Sequence, residues 1–311
     1  ETVHWHDSAM DCLRVGSTRI WLGHGDIPCD GPWSPCVHFT TPEIRYIPWN
    51  DDFGPMNISS ITTFVAMLDQ LLEHQQEMNV IYMCESDDCS LTNGAFLLGA
   101  YMILRHDSST DEIFLWFQDL WSGEFGRYKD ASPHPNGFRL TLVDCWRALE
   151  RARRLRWFCC PDQNGIWGSI DPVEYAHYDN PLNGDMHIVV PGRMLALRGP
   201  TYLPGGQEYH DDIDTGLRTF SPLYYLDIFQ MLRVSCVVRL NDGKYDRQDV
   251  EGSGLCLVDL RYQDPWLPSE ELVAQFLQVV DAAPGAVAVH CSSGLGRTGT
   301  LIALYLMRQH G

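Results

Sequence analysis

The run "GAVAVH" (285–290) is apolar almost throughout. It passes through Cys291 into Ser-Ser-Gly-Leu-Gly and then into a helix-like stretch, "GRTGTLIALYLMRQH" (296–310). A strand apolar on consecutive positions has no polar face to give to water, so it needs cover on both sides. The same kind of run recurs at "GRMLAL" (192–197), "VSCVVRL" (234–240) and "LCLVDL" (255–260). Helical periodicity lies between them, at "SPLYYLDIFQML" (221–232) and "SEELVAQFLQVVDAA" (269–283). Buried strands alternating with helices indicate an α/β fold, a mainly parallel sheet flanked by helices on both faces.

The first half of the chain repeats the plan in degenerate form. "NVIYMCESDDCSLTNGAFLLGAYM" and "AVAVHCSSGLGRTGTLIALYLM" each place an apolar strand before a cysteine, a small-residue loop and a helix. Around the first copy lie a strand at "STRIWLG" (17–23) and helices at "SSITTFVAMLDQLLEHQ" (59–75), "STDEIFLWFQDLW" (109–121) and "FRLTLVDCWRALERARRLRW" (138–157). Asn57 is placed to cap the first of these helices, and Ser109 with Glu112 the second. At 311 residues the chain exceeds one ordinary core. The expected division is a first α/β domain at 1–160, an acidic Pro/Gly/Asn-rich linker with a helix at 161–191, and a second domain at 192–311. Both ends look cut, so a fragment is expected, truncated after the last helix.

Acidic side chains outnumber basic ones by 41 to 22, a net charge of -19. That balance argues against nucleic acid or an anionic membrane as partner and favours a basic one. No apolar run reaches the about 18 residues of a membrane span, and "ETVHWHDSAMD" lacks a secretory pattern. The 11 cysteines, an odd number without such a signal, point to reduced thiols in the cytosol or nucleus. His24, Cys29, Cys36 and His38 do not have the spacing of a zinc finger, so neither a metal nor a cofactor is expected.

The loop between Cys291 and the last helix carries chemistry. At a helix N-terminus several backbone N–H groups converge, and Ser292, Ser293, Gly294, Leu295 and Gly296 form the cradle they would lend to an anion. Gly294 and Gly296 offer the backbone freedom such a turn needs. The same donors favour thiolate at Cys291. Arg297 is placed to hold two oxygens of the anion, as its planar fork does better than a lysine. A nucleophile beneath a bound oxyanion describes attack on a phosphate ester. The leaving oxygen then needs an acid: Asp264 in "RYQDPWLPS" is the candidate, ahead of Asp259, which sits within a strand. Thr298 can donate to the sulfur as it departs.

The segment "VHCSSGLGRTGTLIA" resembles the protein tyrosine phosphatase superfamily. The chain as a whole is similar to the cell-division-cycle-fourteen dual-specificity phosphatases of eukaryotes. The likeness is carried in order by "DDFGPMN" (51–57), "NGAFLLGAYMI" (93–103), "YKDAS" (128–132), "LTLVDC" (140–145), "VEYAHYDNPLNGDMHIVVPGRMLALRGP" (173–200) and "VVRLN" (237–241). It implies two tandem phosphatase-like domains of which the second alone is catalytic, and a function in the cell cycle. Its implied substrates carry phosphoserine before proline and a basic residue further on. Glu174 and Asp171 would meet that basic residue, with Asp179 and Asp185 nearby in sequence. Leu197, Leu295 and Ser293 would form the wall for the proline. The first loop agrees with a non-catalytic copy: it keeps Cys84 but has Glu85, Asp87 and Asp88 and no arginine. The chain departs from the family in having Ser292–Ser293 where the family has Lys-Ala, and in ending before the family's glutamine loop. Two other functions compete: a phosphoinositide phosphatase, whose loop would want lysines, and a scaffold that traps phosphoproteins without turnover.

Overall fold

A computed structural model of the chain describes residues 10–27, 30–48, 51–118, 125–130, 140–161, 167–214, 216–263 and 267–310. It divides into two compact units, Glu1–Pro172 and Val173–Gly311.

The first unit has a four-stranded sheet in the order β1-β2-β4-β3, from β1 (Met10–Arg14), β2 (Ile20–Gly25), β3 (Cys36–Phe39) and β4 (Asn79–Cys84). β2 and β3 run parallel to β4, and β1 is antiparallel to β2. The helices are α1 (Ile58–His74), α2 (Asp88–His106), α3 (Thr110–Phe117) and α4 (Leu142–Arg154). α2 is buried from Thr92 to Leu104, which is why it lacks a polar stripe and reads as unbroken apolar sequence. Gly99 brings α2 and α4 together: a Cβ there would lie 2.3 Å from the indole nitrogen of Trp146. That nitrogen donates to the Phe96 carbonyl at 3.2 Å. The expected caps form, Asn57 accepting from the Ser60 N–H and Ser109 closing a capping box with Glu112.

The second unit is built on a five-stranded sheet in the order β10-β9-β11-β6-β5. Its strands are β5 (Met186–Val190), β6 (Met194–Arg198), β9 (Val234–Arg239), β10 (Cys256–Asp259) and β11 (Ala286–Cys291). β6, β11, β9 and β10 are parallel, and β5 is an antiparallel edge. A hairpin of β7 (Tyr209–Asp211) and β8 (Arg218–Phe220) precedes α6 (Pro222–Met231), and α7 (Gln248–Glu251), α8 (Glu270–Ala282) and α9 (Gly296–His310) follow. β11 is buried at all six positions. Ala286 and Ala288 pack with Tyr225 and Phe229 of α6, while Val287, Val289 and Cys291 pack with Phe276, Leu301 and Tyr305 of α8 and α9. The alternation shows helices on both faces of a mainly parallel sheet.

Helix α5 (Pro172–Asp179) lies where the units divide, inside the stretch expected as linker. The range 161–191 also takes in β5, which is hydrogen-bonded into the second sheet as one arm of a hairpin with β6. Among the described residues no helix is long and apolar enough to cross a membrane.

Candidate active site

The central strand β11 delivers Cys291 to the carboxyl edge of the second sheet, and α9 begins five residues later. Open α/β sheets bind ligands at this edge, where helix N-termini converge. Two glycines let the backbone pass. Gly294 has φ +78°, and a Cβ on it would come within 2.6 Å of the Leu197 carbonyl carbon and oxygen. Gly199 accommodates the loop from the neighbouring strand: its N–H donates to the Ser292 carbonyl at 3.2 Å, and a Cβ would sit 2.1 Å from the Cys291 oxygen. Of the two glycines expected to supply backbone freedom, Gly294 does so, whereas Gly296 has open space around it and no positive φ.

Cys291 is buried. Burial pushes its thiol pKa up, but the Thr298 hydroxyl, the N–H groups of Thr298 and Gly294 and the charge of Arg297 outweigh it, and the net shift is downward. The Thr298 side chain is wholly buried, its hydroxyl has no other hydrogen-bond partner within the chain, and its effect is felt at the thiol, whose pKa it helps to lower. Arg297 is steadied from three sides: Nη1 donates to the carbonyls of Tyr262 at 3.1 Å and Leu240 at 3.4 Å, and Nη2 to Ser292 Oγ at 3.3 Å. The Tyr262 hydroxyl returns a hydrogen bond to the Arg297 carbonyl at 3.1 Å.

His290 lies directly behind the cysteine. Burial lowers its pKa to about 4, so it is neutral near pH 7. Its Nδ1 is 3.3 Å from the Cys291 carbonyl, which only accepts, so the ring proton sits on Nδ1. Nε2 is then an acceptor, and the Tyr245 hydroxyl donates to it at 2.8 Å. Tyr245, Tyr262 and Gly199 escaped the sequence reading because each reaches the loop from a distant segment.

Asp259 is held by Arg239, whose Nε and Nη2 donate to its two oxygens at 2.6 and 3.2 Å. Arg247 adds a hydrogen bond at 2.8 Å. The Arg239 hydrogen bond holds the Asp259 carboxyl below the usual range, so it stays ionised and cannot serve as a proton donor. Asp264 falls outside the described residues.

Of the expected substrate residues, Leu295 is 56% exposed, and Ser293 Oγ accepts from the Leu295 N–H at 3.4 Å. Leu197 corrects its expectation. It is 1% exposed, packed with Tyr178, Phe220 and Tyr225, and so belongs to the core and offers no wall to a ligand. Its alternate neighbours on β6 face the other side of a sheet covered on both faces. Asp171 is exposed and Glu174 half-buried; burial, with the Glu174 charge adding to it, raises the pKa of the Tyr178 phenol. Asp179 pairs with His187 at 2.6 Å and Asp185 with Arg198 at 3.6 Å.

The first unit's loop has the opposite character. Burial, with Asp87 beside it, pushes the Cys84 thiol up to about 12. Asp87 caps α2, accepting from the Ser90 N–H at 2.9 Å, so the chain's own carboxylate fills the place an anion would take. A Cβ on Gly94 would lie 2.3 Å from Cys84 Sγ, which shows the sulfur tucked against the helix. Cys29 of the group weighed for zinc lies outside the described residues. Cys36 Sγ is 3.9 Å from His38 Nε2, and no group of three or more metal-ligand side chains converges among the described residues.

Residues 34–152 match the family model of the dual specificity protein phosphatase N-terminal half, and residues 226–311 that of the polymorphic toxin system DSP-PTPase phosphatase. The chain is 34% identical over 279 residues to the Tyrosine-protein phosphatase cdc-14 of Caenorhabditis elegans, covering 86% of this chain and 37% of that protein. It is 31% identical over 271 residues to the Dual specificity protein phosphatase CDC14A of Homo sapiens, covering 86% and 43%. With the CDC14 homolog of Schizosaccharomyces pombe it shares 30% over 289 residues, covering 89% and 51%. The chain thus spans about half or less of the length of these relatives. Among solved structures, the active form of Tk-PTP aligns with 39% of this chain and 71% of its own, at 24% identity and a TM-score of 0.30. The chain is thus homologous to the CDC14 dual-specificity and tyrosine phosphatases over most of its length and carries matches to two dual-specificity phosphatase family models.

Proposed function

We propose that the second unit is a cysteine-dependent protein phosphatase that hydrolyses phosphoserine, phosphothreonine and phosphotyrosine. The observation that carries this is the placement of Cys291 at the end of β11, directly before the N-terminus of α9, with Arg297 held over the same loop, an arrangement that lowers the thiol pKa despite burial. In the first step the Cys291 thiolate attacks phosphorus; the S–P bond forms as the ester P–O bond breaks. Loop N–H groups and the Arg297 fork hold the phosphoryl oxygens. Asp264 gives its proton to the departing oxygen, an assignment supported by the engagement of Asp259 with arginines. In the second step water attacks phosphorus, Asp264 accepts its proton, and the S–P bond breaks to release phosphate. Thr298 stabilises the departing thiolate. No metal or cofactor enters this scheme.

The preferred substrate in this reading is a protein phosphorylated before proline, with a basic residue further on, in control of the cell cycle. The net charge of -19, Glu174 and Asp171 support the basic residue, and the exposed Leu295 supports the proline. The phosphatase is assigned to the cytosol or nucleus.

Turnover of an aryl phosphate tests the chemistry. Cys291→Ser is expected to abolish it and Asp264→Ala to slow it by roughly 10²–10⁴-fold. Undiminished turnover in Cys291→Ser would overturn the assignment. For the substrate, a Ser-Pro phosphopeptide with a following lysine is expected to outcompete both its lysine-to-glutamate counterpart and a soluble inositol phosphate.

A further inference from the structure

Arg239 ends β9 at the centre of one rung of the second sheet: His290 of β11 is its register partner on one side and Asp259 of β10 on the other. Its side chain is 3% exposed and that of Asp259 24%. The segment that follows β9 wraps around the guanidinium. Nη1 donates to the Tyr245 carbonyl at 2.9 Å, and the charge lies 4.8 Å from the Tyr245 ring centroid. Gly243 makes room, since a Cβ there would come within 2.6 Å of Nη1.

The clamped segments are those that touch the reactive loop. Residues 240–245 supply the Leu240 carbonyl to Arg297 and the Tyr245 hydroxyl to His290, which in turn holds the Cys291 carbonyl. The stretch leaving β10 supplies Tyr262, bonded to Arg297 at both its carbonyl and its hydroxyl. Leu260 N–H to the Arg239 carbonyl and Tyr262 N–H to the Leu240 carbonyl join the two stretches. We infer that the Arg239–Asp259 pair is a positioning device that sets both ends of the 291–297 loop, the sulfur through Tyr245 and His290 and the guanidinium through Leu240 and Tyr262. This rests on the phosphatase reading. Stability alone is a poor reason for such a pair, because desolvation offsets much of the attraction between buried charges.

The electrostatic alternative has the opposite sign. The charges facing this cluster are Arg247 with Glu251, Arg261, which lies 3.5 Å from Asp259 and 3.9 Å from Asp242, and Asp185 with Arg198 beside Cys291. Removing the Asp259 charge through space alone leaves more positive potential near Cys291 and favours its thiolate. Loss of positioning weakens the thiolate.

The test is alkylation of Cys291 by iodoacetamide across pH in the full chain, quantified on its peptide, with inorganic phosphate as protecting ligand. In Asp259→Asn the half-reaction pH is expected to rise, with roughly a tenfold loss of thiolate for each unit of rise. Phosphate protection is expected to weaken in the same variant, and Asp259→Glu to recover part of both. Val280→Ala thins the α8 core that Cys291 shares but removes no hydrogen bond to the 291–297 loop, and it is expected to lower stability and move neither. An unchanged or lowered half-reaction pH in Asp259→Asn overturns the inference, as does an equal shift in Val280→Ala. A wild-type Cys291 that reacts as an ordinary thiol defeats instead the phosphatase reading beneath it.

Discussion

At Cys291 the contest between burial and hydrogen bonding goes to the donors. Because thiolate is the reactive form, the acid limb of kcat/KM follows the fraction ionised. A lowered thiol pKa keeps that fraction high toward acidic pH. Thr298→Ala removes a leading opposing contribution, so the thiol pKa rises and the acid limb moves to higher pH. The expected result is a larger loss at pH 5.5 than at pH 8; equal loss at both would show that Thr298 does not act through the thiol. The residues of this loop were legible because they are contiguous, from Cys291 to Thr298. Tyr245, Tyr262 and Gly199 were not, since a close approach across strands leaves no periodic trace. Leu197 misled differently: the resemblance implies a place for it in the wall for the proline, and only the sheet shows that its side chain faces the core.

Among the elements, the helices declare themselves through their ends. Asn57, Ser109 with Glu112, and Thr141 with Asp144 all cap as side-chain chemistry dictates. Buried strands are equally plain, because β9 and β11 have no polar face. Strands β1, β3 and β5 are different. They lie at sheet edges, where half-burial permits mixed sequences, and β5 was absorbed into a linker. Contacts between elements are also hidden from sequence, and Gly99 is the clearest case. Gly99→Ala sets a methyl group against the Trp146 indole, 2.3 Å from its nitrogen. The α2–α4 contact must open, and a loss of about 1–3 kcal/mol is expected, read as a lower urea midpoint. An unchanged midpoint would mean that the two helices are not so tightly joined.

For the molecule as a whole, one fold plan serves two ends. Both units carry a cysteine at the end of a strand before a helix, but the loop of the first carries Glu85, Asp87 and Asp88 where that of the second carries Arg297. In the first, Asp87 caps α2 and Cys84 is held as a thiol with its pKa near 12. Cys84→Ala is therefore expected to leave turnover of an aryl phosphate within about twofold of wild type, since it removes no charge. A large loss would give the first unit a part in the chemistry. The duplication was visible in sequence as two strand–cysteine–helix runs, whereas the division at Pro172 emerges only from the packing. In the proposed reaction the phosphoryl group passes through Cys291. Rapid quench after mixing with ³²P-labelled phosphopeptide, followed by peptide mapping, reads that intermediate. Label is expected on the peptide containing Cys291, lost in Cys291→Ser and retained in Cys84→Ala. Label on another residue, or label that persists in Cys291→Ser, would rule out a cysteinyl phosphate at this site.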